Sequence, residues 1–560
     1  MLKYLLNLKN IILFIIVGIM ANIILALSFQ MYSYVTDITI NRNISKVPTI
    51  TTLAILLVLG LFCFFSLLDY FKWLIVVYAS KKLKDDIMTK VFMYDYEKFY
   101  KGKKSYYSSI LLNDVEIIEE NFFTKVVEIL AECIQMCVMI MFISFIEWRF
   151  MPIILLFALP SILHPFILRS KLGKAGYKIS SIFEKYTLAV REYIENFEII
   201  KIFQKEKIFV AKFTKVVSDL EKARKKQHLI NSTNMAMLLF AMYFLKIGLA
   251  LFFVSSALKG IITLAAVMAL FGFANQIGNP ISEILGYIAD ISESSEVRKK
   301  LTIFLSTDED VEGLEKLIDI NFKCEIKFEN VWFTYPNQSE TVLENFSIFF
   351  QKGKKYLLLG EIGSGKSTIL RLLAGYYFNY DGSITFDSYE LKNVDSKVIR
   401  DKIALINQDT FVFSGTIRDN ITLYDTRYSD QQIVEAMKLA GLEAFFSSLS
   451  NGLDTFVFES GVNLSGGEKQ RISVARAILV NKEIFLVDEG SSQLDNITSL
   501  EIERNLLSTT KTVIIISHRI DETITEYDGI GILVNKRLAA FGNYDELRNT
   551  NIFNNYMGIN

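Results

Sequence analysis

Gly360-Glu361-Ile362-Gly363-Ser364-Gly365-Lys366-Ser367 spaces its glycines, lysine and hydroxyl as G-x-x-x-x-G-K-[ST]. Glycines at these positions let backbone N–H groups curl around phosphate oxygens, and the N-terminus of a following helix adds its positive dipole. The lysine then reaches the β- and γ-phosphates, and the hydroxyl ligates Mg²⁺. Lys366 is thus counted among the catalytic groups and Ser367 among the metal ligands, with Glu361, Ile362, Ser364 and Thr368 completing the cradle. A second chemical element is Ile484-Phe-Leu-Val-Asp488-Glu489, an apolar run ending in two carboxylates. Alone it would also suit a surface turn; beside a phosphate cradle, Asp488 is placed to hold Mg²⁺ and Glu489 to polarise the water that attacks a γ-phosphate. A third is Leu464-Ser465-Gly466-Gly467-Glu468-Lys469-Gln470-Arg471, a small-residue turn at a helix start and so another anion nest. One cradle already serves one nucleotide, so the Ser465-Gly466-Gly467 nest implies another nucleotide, or that of another copy of the chain.

These groups need a rigid frame. Lys355 to Leu359 reads as a buried strand and Ser367 to Ala374 as a helix, which is the setting the cradle requires. From about residue 324 onward, β-rich runs, glycine turns and amphipathic helices alternate, as in one α/β nucleotide-binding domain. The first half is different. Uncharged runs cover Ile11–Val35, Thr49–Leu68, Cys133–Ile146, Phe150–Leu168, Leu229–Leu245 and Gly260–Ser282. A bilayer core takes about 20 apolar residues as a helix, so six membrane spans are expected, near 11–35, 49–79, 122–146, 150–170, 229–258 and 260–285. The first run is read as an uncleaved span, since no small-residue cleavage site follows it and five more spans do. Segments 80–121 and 169–228 hold 8 and 15 Lys/Arg, against Arg42, Lys46, Arg149 and Lys259 in the alternate loops. Basic loops stay cytoplasmic, which puts both termini and everything after residue 290 in the cytoplasm. Both basic loops carry helical periodicity and read as long extensions of the membrane helices.

Composition agrees with this division. A 51% apolar fraction with 22% charged residues is too apolar for an ordinary soluble enzyme and excludes a disordered chain. A formal net charge of -1 gives no reason to expect nucleic acid. Cys63, Cys133, Cys137 and Cys324 have no metal-ligand or redox spacing, and Cys133 and Cys137, four apart on an apolar helical pattern, read as reduced packing residues. The expected architecture is a multi-domain membrane protein. It has a six-helix α transmembrane domain (1–290) with long cytoplasmic helical extensions, a linker (291–323) and an α/β P-loop ATPase cassette (324–560).

Taken together, these motifs in this order resemble the ATP-binding cassette (ABC) transporters, in particular exporter-type half-transporters whose membrane domain precedes the cassette. The resemblance covers nearly the whole chain. Leu464–Gln470 matches the family signature almost letter for letter. The resemblance implies ATP and Mg²⁺ as ligands and adds site residues: Gln408 as the glutamine touching Mg²⁺, His518 as the switch histidine on the γ-phosphate, Asp495 in the loop Ser491-Ser-Gln-Leu494-Asp495, and Tyr335 as the aromatic stacking on adenine. The alternative reading of Tyr335 is an ordinary strand aromatic. Tyr94–Glu120 and Arg191–Phe213 resemble the coupling regions, and Glu459-Ser460-Gly461 the loop that touches them, with Ser460 where the family has arginine.

The function implied is ATP-driven export of a small amphipathic or hydrophobic molecule (peptide, drug or lipid-like) by alternating access, from a multi-pass position in the cell membrane. Both half-sites are intact in this one sequence, so a second copy of itself is the expected partner, with a heterodimer as the alternative. Import of a metal-chelating molecule and a non-transporting ATP-gated regulator remain open. Polar residues within or bordering the spans are Asp69, Lys72, Glu128, Glu132, Gln135, His164, Lys246, Asn275 and Gln276. Intramembrane ionisable groups are costly and so are functional candidates, Lys246 first among them.

Overall fold

A computed structural model describes the chain except residues 102–103, 307–319, 337, 408–409, 459–460, 462, 489–495, 518–521 and 558–560. Within helices, the side chains at 101, 104–105, 155, 161–162, 164–177, 180, 184, 274–275, 279, 282, 496–498, 555 and 557 also lie outside the description. The chain divides into two compact units. One is Met1–Met93 with Lys104–Asp308, and the other is Tyr94–Lys103 with Glu309–Asn560.

The first unit is helical. Its long helices are α1 (Leu8–Ile40), α2 (Val47–Met93), α3 (Lys125–Glu147), α4 (Met151–Glu195), α5 (Glu206–Leu258) and α6 (Leu264–Glu293). At 1.5 Å per residue, the 47 residues of α2 and the 53 of α5 run about 70 and 80 Å, far more than a hydrocarbon layer of about 30 Å demands. Among the described residues, five helical stretches are long and apolar enough to cross a membrane: Leu8–Ile40, Ile44–Met93, Tyr106–Ile154, Glu206–Leu258 and Leu264–Glu293. The sixth expected span, near 150–170, lies in α4, where many side chains are outside the description. Along α2, Leu53, Leu56, Val58, Leu59 and Phe62 are exposed, a band of apolar surface that suits lipid and not water.

Where helices meet, they meet closely. Phe253, Phe273, Ile143, Met139 and Leu249 share one buried cluster. A Cβ at Gly248 would stand 2.2 Å from the Phe157 ring, and one at Gly272 would stand 2.5 Å from that of Phe29. Small residues at such crossings let backbones approach where no hydrophobic drive between helices exists. Gln135 Nε2 donates to Gln276 Oε1 (3.0 Å), joining α3 to α6. Lys125 pairs with Glu128 (3.3 Å) and Asp290 (3.8 Å), and Asp69 pairs with Lys72 (2.8 Å) on one face of α2. Lys246 is half-buried on α5, its ammonium 6.0 Å from the Tyr243 ring. The side chains of His164 and Asn275 lie outside the description. The segment read as a linker is helical at Ser295–Ser306, where Leu301 and Phe304 are buried and Arg298 lies 4.6 Å over the Phe122 ring.

The second unit is built on two sheets. Strands β1 (Glu325–Thr334), β2 (Thr341–Gln351), β4 (Asp381–Phe386) and β5 (Tyr389–Glu390) form an antiparallel sheet in the order β2-β1-β4-β5. Strands β3 (Lys355–Gly360), β6 (Ile403–Ile406), β9 (Ile484–Asp488), β10 (Thr512–Ile516), β11 (Gly529–Val534) and β12 (Arg537–Gly542) form the other, in the order β12-β11-β3-β10-β9-β6. That sheet is parallel except for the β11–β12 edge. A short pair, β7 (Gly415–Thr416) and β8 (Phe456–Val457), stands apart.

The parallel sheet is covered on both faces, which explains why β3, β9 and β10 are buried at every residue. Side chains alternate between two cores. Leu357, Leu359, Phe485, Val487, Val513 and Ile515 enter one, while Tyr356, Leu358, Ile484, Leu486, Ile514 and Ile516 enter the other. Parallel register carries a functional consequence: Ile516 pairs with both Leu358 and Asp488, and Ile406 pairs with Val487, so β3, β6, β9 and β10 all end at one edge. Ligands of open α/β sheets bind at that carboxyl edge.

Candidate functional site

The edge begins with the turn after β3. Gly360 has φ +154°, and a Cβ there would meet the Leu533 carbonyl oxygen at 2.6 Å. Gly365 has φ +100° and caps the helix Lys366–Leu373 in the left-handed region; a Cβ would meet the Val342 carbonyl oxygen at 2.9 Å. Only glycine fits either place. The Lys366 side chain is buried within the loop, its ammonium donating to the carbonyls of Gly360 (2.7 Å) and Glu361 (2.8 Å). Ser364 Oγ is buried without a hydrogen-bond partner in the same loop. A loop wound tightly around its own lysine, with an orphaned hydroxyl and a helix N-terminus behind it, fits an anion with several oxygens.

Ser367 ties this loop to the neighbouring acid. Its hydroxyl donates to Asp488 Oδ1 at 2.9 Å, so the first turn of the helix and the tip of β9 share one point. Among the described residues no three His, Cys, Asp or Glu side chains converge as a metal site. The Ser367–Asp488 pair suits Mg²⁺ nonetheless, because that ion uses one or two protein ligands and completes its shell with phosphate oxygens and water. Thr368, one residue on, accepts or donates across 2.8 Å to the Tyr335 hydroxyl, which also receives Arg371 Nη1 at 3.1 Å. The structure therefore sets Tyr335, just past the end of β1, beside the phosphate loop.

Ser465 heads the helix Gly466–Val480. Its hydroxyl accepts from the Glu468 N–H (3.3 Å), while Glu468 Oε2 accepts from the Ser465 N–H (2.7 Å), a reciprocal cap. Gly466 and Gly467 form the first turn, Gly466 exposed and Gly467 half-buried. This helix packs on Ile417–Thr422, Asp430–Leu439 and strand β6. Gln408, Glu489, Asp495 and His518, with Glu459 and Ser460, lie outside the described residues. In sequence, Gln408, Glu489 and His518 follow the ends of β6, β9 and β10 by two, one and two residues.

Sequence reasoning missed Arg476. Its guanidinium donates to the carbonyls of Asn420 (2.5 Å) and Phe411 (2.7 Å) and to Asn420 Oδ1 (3.1 Å). Burial pulls its pKa down to about 10. Fully buried Asn420 in turn bonds the backbone of Phe413 and Thr416, so one network ties the segment after Gln408 to the signature helix. The signal was present: Arg476 interrupts the apolar stripe Ile472, Ala475, Leu479. Replacing Arg476 with Met should cost the cassette about 1–3 kcal/mol, because two backbone carbonyls lose their charged donor. Denaturant unfolding checks this, and an unchanged midpoint would refute the network's importance.

Each unit also carries an apolar surface patch. On the cassette, Phe411, Phe413, Phe456 and Phe458 are exposed in two ring pairs. In the helical unit, the short helix Phe197–Ile202 joins α4 to α5 and exposes Phe197, Ile199 and Ile202, beside a 440 Å³ groove lined partly by Asn196, Phe203 and Phe209.

Comparison with known proteins bears on both units. The family "ABC transporter transmembrane region" matches residues 11–281 and the family "ABC transporter" matches residues 343–492. The putative multidrug export ATP-binding/permease protein YgaD of Bacillus subtilis is 27% identical over 96% of this chain and 94% of its own length. The ABC transporter ATP-binding protein y4gM of Sinorhizobium fredii is 36% identical over 51% of each chain. ABC transporter B family member 4 of Dictyostelium discoideum is 40% identical over 40% of this chain and 30% of its own. The chain thus spans about half or less of the first curated relatives it matches, YgaD apart. A bacterial Atm1-family ABC exporter solved with ATP bound has the same fold, with TM-score 0.82, 21% identity and coverage of 99% and 98%.

Proposed function

The chain belongs to the ABC transporters, joining their membrane region and cassette in the exporter-type order, and on that premise we propose that it couples ATP hydrolysis to export of a small amphipathic or hydrophobic molecule. The observation that carries the ATP reading is the meeting of Ser367 and Asp488 beneath the glycine loop. On ATP binding, the Lys366 ammonium exchanges the Gly360 and Glu361 carbonyls for β- and γ-phosphate oxygens. The N–H groups of Gly363, Ser364, Gly365 and Lys366 face the phosphates at the helix N-terminus. Ser367 and Asp488, with Gln408, would hold Mg²⁺, which neutralises phosphate charge. Glu489 polarises the attacking water, His518 contacts the γ-phosphate, and Asp495 is assigned to the nucleotide site.

The Ser465-Gly466-Gly467 turn is a second anion nest in a cassette whose phosphate loop already serves one nucleotide, which supports assigning it to the nucleotide of a second copy. Pairing then completes two composite sites, and the Phe197–Ile202 helix and the cassette's phenylalanine patch both require an apolar partner. ATP binds the paired state better than the open one, and hydrolysis releases that difference. Basic loops place both cassettes in the cytoplasm.

The export direction and a broad substrate range follow YgaD, whose name describes multidrug export. Lys246, half-buried in an otherwise apolar stretch, and the Gln135–Gln276 pair are the polar groups assigned to substrate contact. In lipid vesicles with cassettes outward, ATP should drive accumulation of an amphipathic dye inside, several-fold over ADP. Equal accumulation with ADP, or ATP-driven loss of preloaded dye, would refute the export reading.

A further inference from the structure

Ten residues of the loop between the second and third spans, Tyr94–Lys103, belong to the same compact unit as the cassette. Their anchor is aromatic. The Tyr96 ring stacks on Tyr376 at 3.7 Å and 13°, and stands edge-on to Tyr377 at 6.1 Å and 82°. Ser396 Oγ donates to Asp95 Oδ1 at 3.1 Å beside it. Tyr376 and Tyr377 are aimed by the phosphate-loop helix itself. That helix ends in a left-handed Gly375 (φ +67°), with the Gly375 N–H on the Leu372 carbonyl and the Tyr376 N–H on that of Arg371. This paired closure fixes the direction of the chain that follows. Tyr377 is buried, and it also neighbours Phe333 at 5.5 Å and Tyr335 at 5.3 Å and 84°. Tyr335 is held at its tip by Thr368 and Arg371 and at its flank by Phe333 (5.0 Å). The rings therefore run unbroken from Tyr96 through Tyr377 to Tyr335.

We propose that Tyr96 and Tyr377 are positioning residues for the base end of the nucleotide site: seating of the short helix Tyr96–Lys101 sets the ring plane of Tyr335, and so the affinity for the base of ATP and not for its phosphates. This rests on the reading of Tyr335 as the adenine platform. Stacking depends on ring orientation. Tyr335 has its hydroxyl pinned, so its remaining freedom is rotation about that tip. The edge of Tyr377 limits that rotation, and Tyr96 limits Tyr377.

Full-length protein is titrated with Mg²⁺-ATP and, separately, with Mg²⁺ and inorganic tripolyphosphate, which carries the phosphates without a base. Tyr96→Leu should weaken ATP binding about tenfold, the scale of one lost base–aromatic stack, and leave tripolyphosphate within about twofold. Tyr96→Phe keeps the ring and should bind both as the unaltered protein does. In a Tyr335→Ala background, Tyr96→Leu should add nothing, because the two act in series. Tyr96→Met provides the same reading if Tyr96→Leu lowers the melting temperature. Unchanged ATP affinity, or equal weakening of ATP and tripolyphosphate, overturns the proposal. If Tyr335→Ala itself leaves the ratio of the two affinities unaltered, the adenine-platform reading has failed. If Tyr335→Ala shifts that ratio and the Tyr96 variants do not, only the ring relay has failed.

Discussion

Glu489→Gln should lower ATP turnover by about a hundred- to a thousandfold while leaving ATP affinity within about twofold, the range set by loss of a general base that makes no ground-state contact. The reasoning begins at β9. Every residue of that strand is buried, and it ends on Asp488, whose Oδ1 accepts from Ser367. In sequence the next residue is Glu489, a second carboxylate directly after Asp488. Glutamine keeps the size and the hydrogen bonds but cannot take a proton from water. Loss of turnover with binding retained therefore separates Glu489 from Asp488, whose replacement by Asn should reduce Mg²⁺-dependent binding and turnover together. Turnover by Glu489→Gln at the unaltered rate would assign the base elsewhere.

What could be read from sequence divides along a physical line. The phosphate loop was legible because its chemistry is local: glycines with positive φ, a lysine and a hydroxyl, all within eight residues. The buried strands β3 and β9 were legible because parallel strands covered on both faces must be continuously apolar. Long uncharged runs announced the membrane helices for the same reason. Contacts that close over long sequence separations were not legible. Tyr96 meets Tyr376 across 280 positions, and Arg476 meets Asn420 across 56. No periodicity records such pairs; they arise when the β-sheet and helix ends bring separate segments together. The Ser465 turn shows a subtler limit. Its composition announced an anion nest, while the Ser465-x-x-Glu468 spacing that makes the reciprocal cap stood in the same four residues and is read only beside the structure. A local cap and an anion nest are compatible, since the cap engages the Ser465 and Glu468 N–H groups and Gly466 and Gly467 form the intervening turn.

Composite sites make a second strong prediction, in which two inactive proteins restore each other. Lys366→Ala removes the phosphate-loop ammonium, and Ser465→Arg fills the exposed signature turn with a bulky cation; each should lower turnover of its own homodimer by at least about a hundredfold, the scale of losing a preorganised transition-state contact. In a mixed dimer, the Ser465→Arg copy keeps its phosphate loop and the Lys366→Ala copy keeps its signature turn, so one of the two sites is whole. Random pairing of equal amounts makes about half of all dimers mixed and restores about a quarter of the sites, given a two-fold symmetric interface. Turnover should therefore rise on co-expression to roughly a quarter of the unaltered level when the sites act independently. A site confined to one chain predicts no rise at any mixing ratio, and that result would remove the need for a second copy. The basis is that one cassette carries two anion nests, the loop around Lys366 and the turn headed by Ser465, where one nucleotide needs one cradle. Both nests then serve the same triphosphate when the second is supplied by a facing copy.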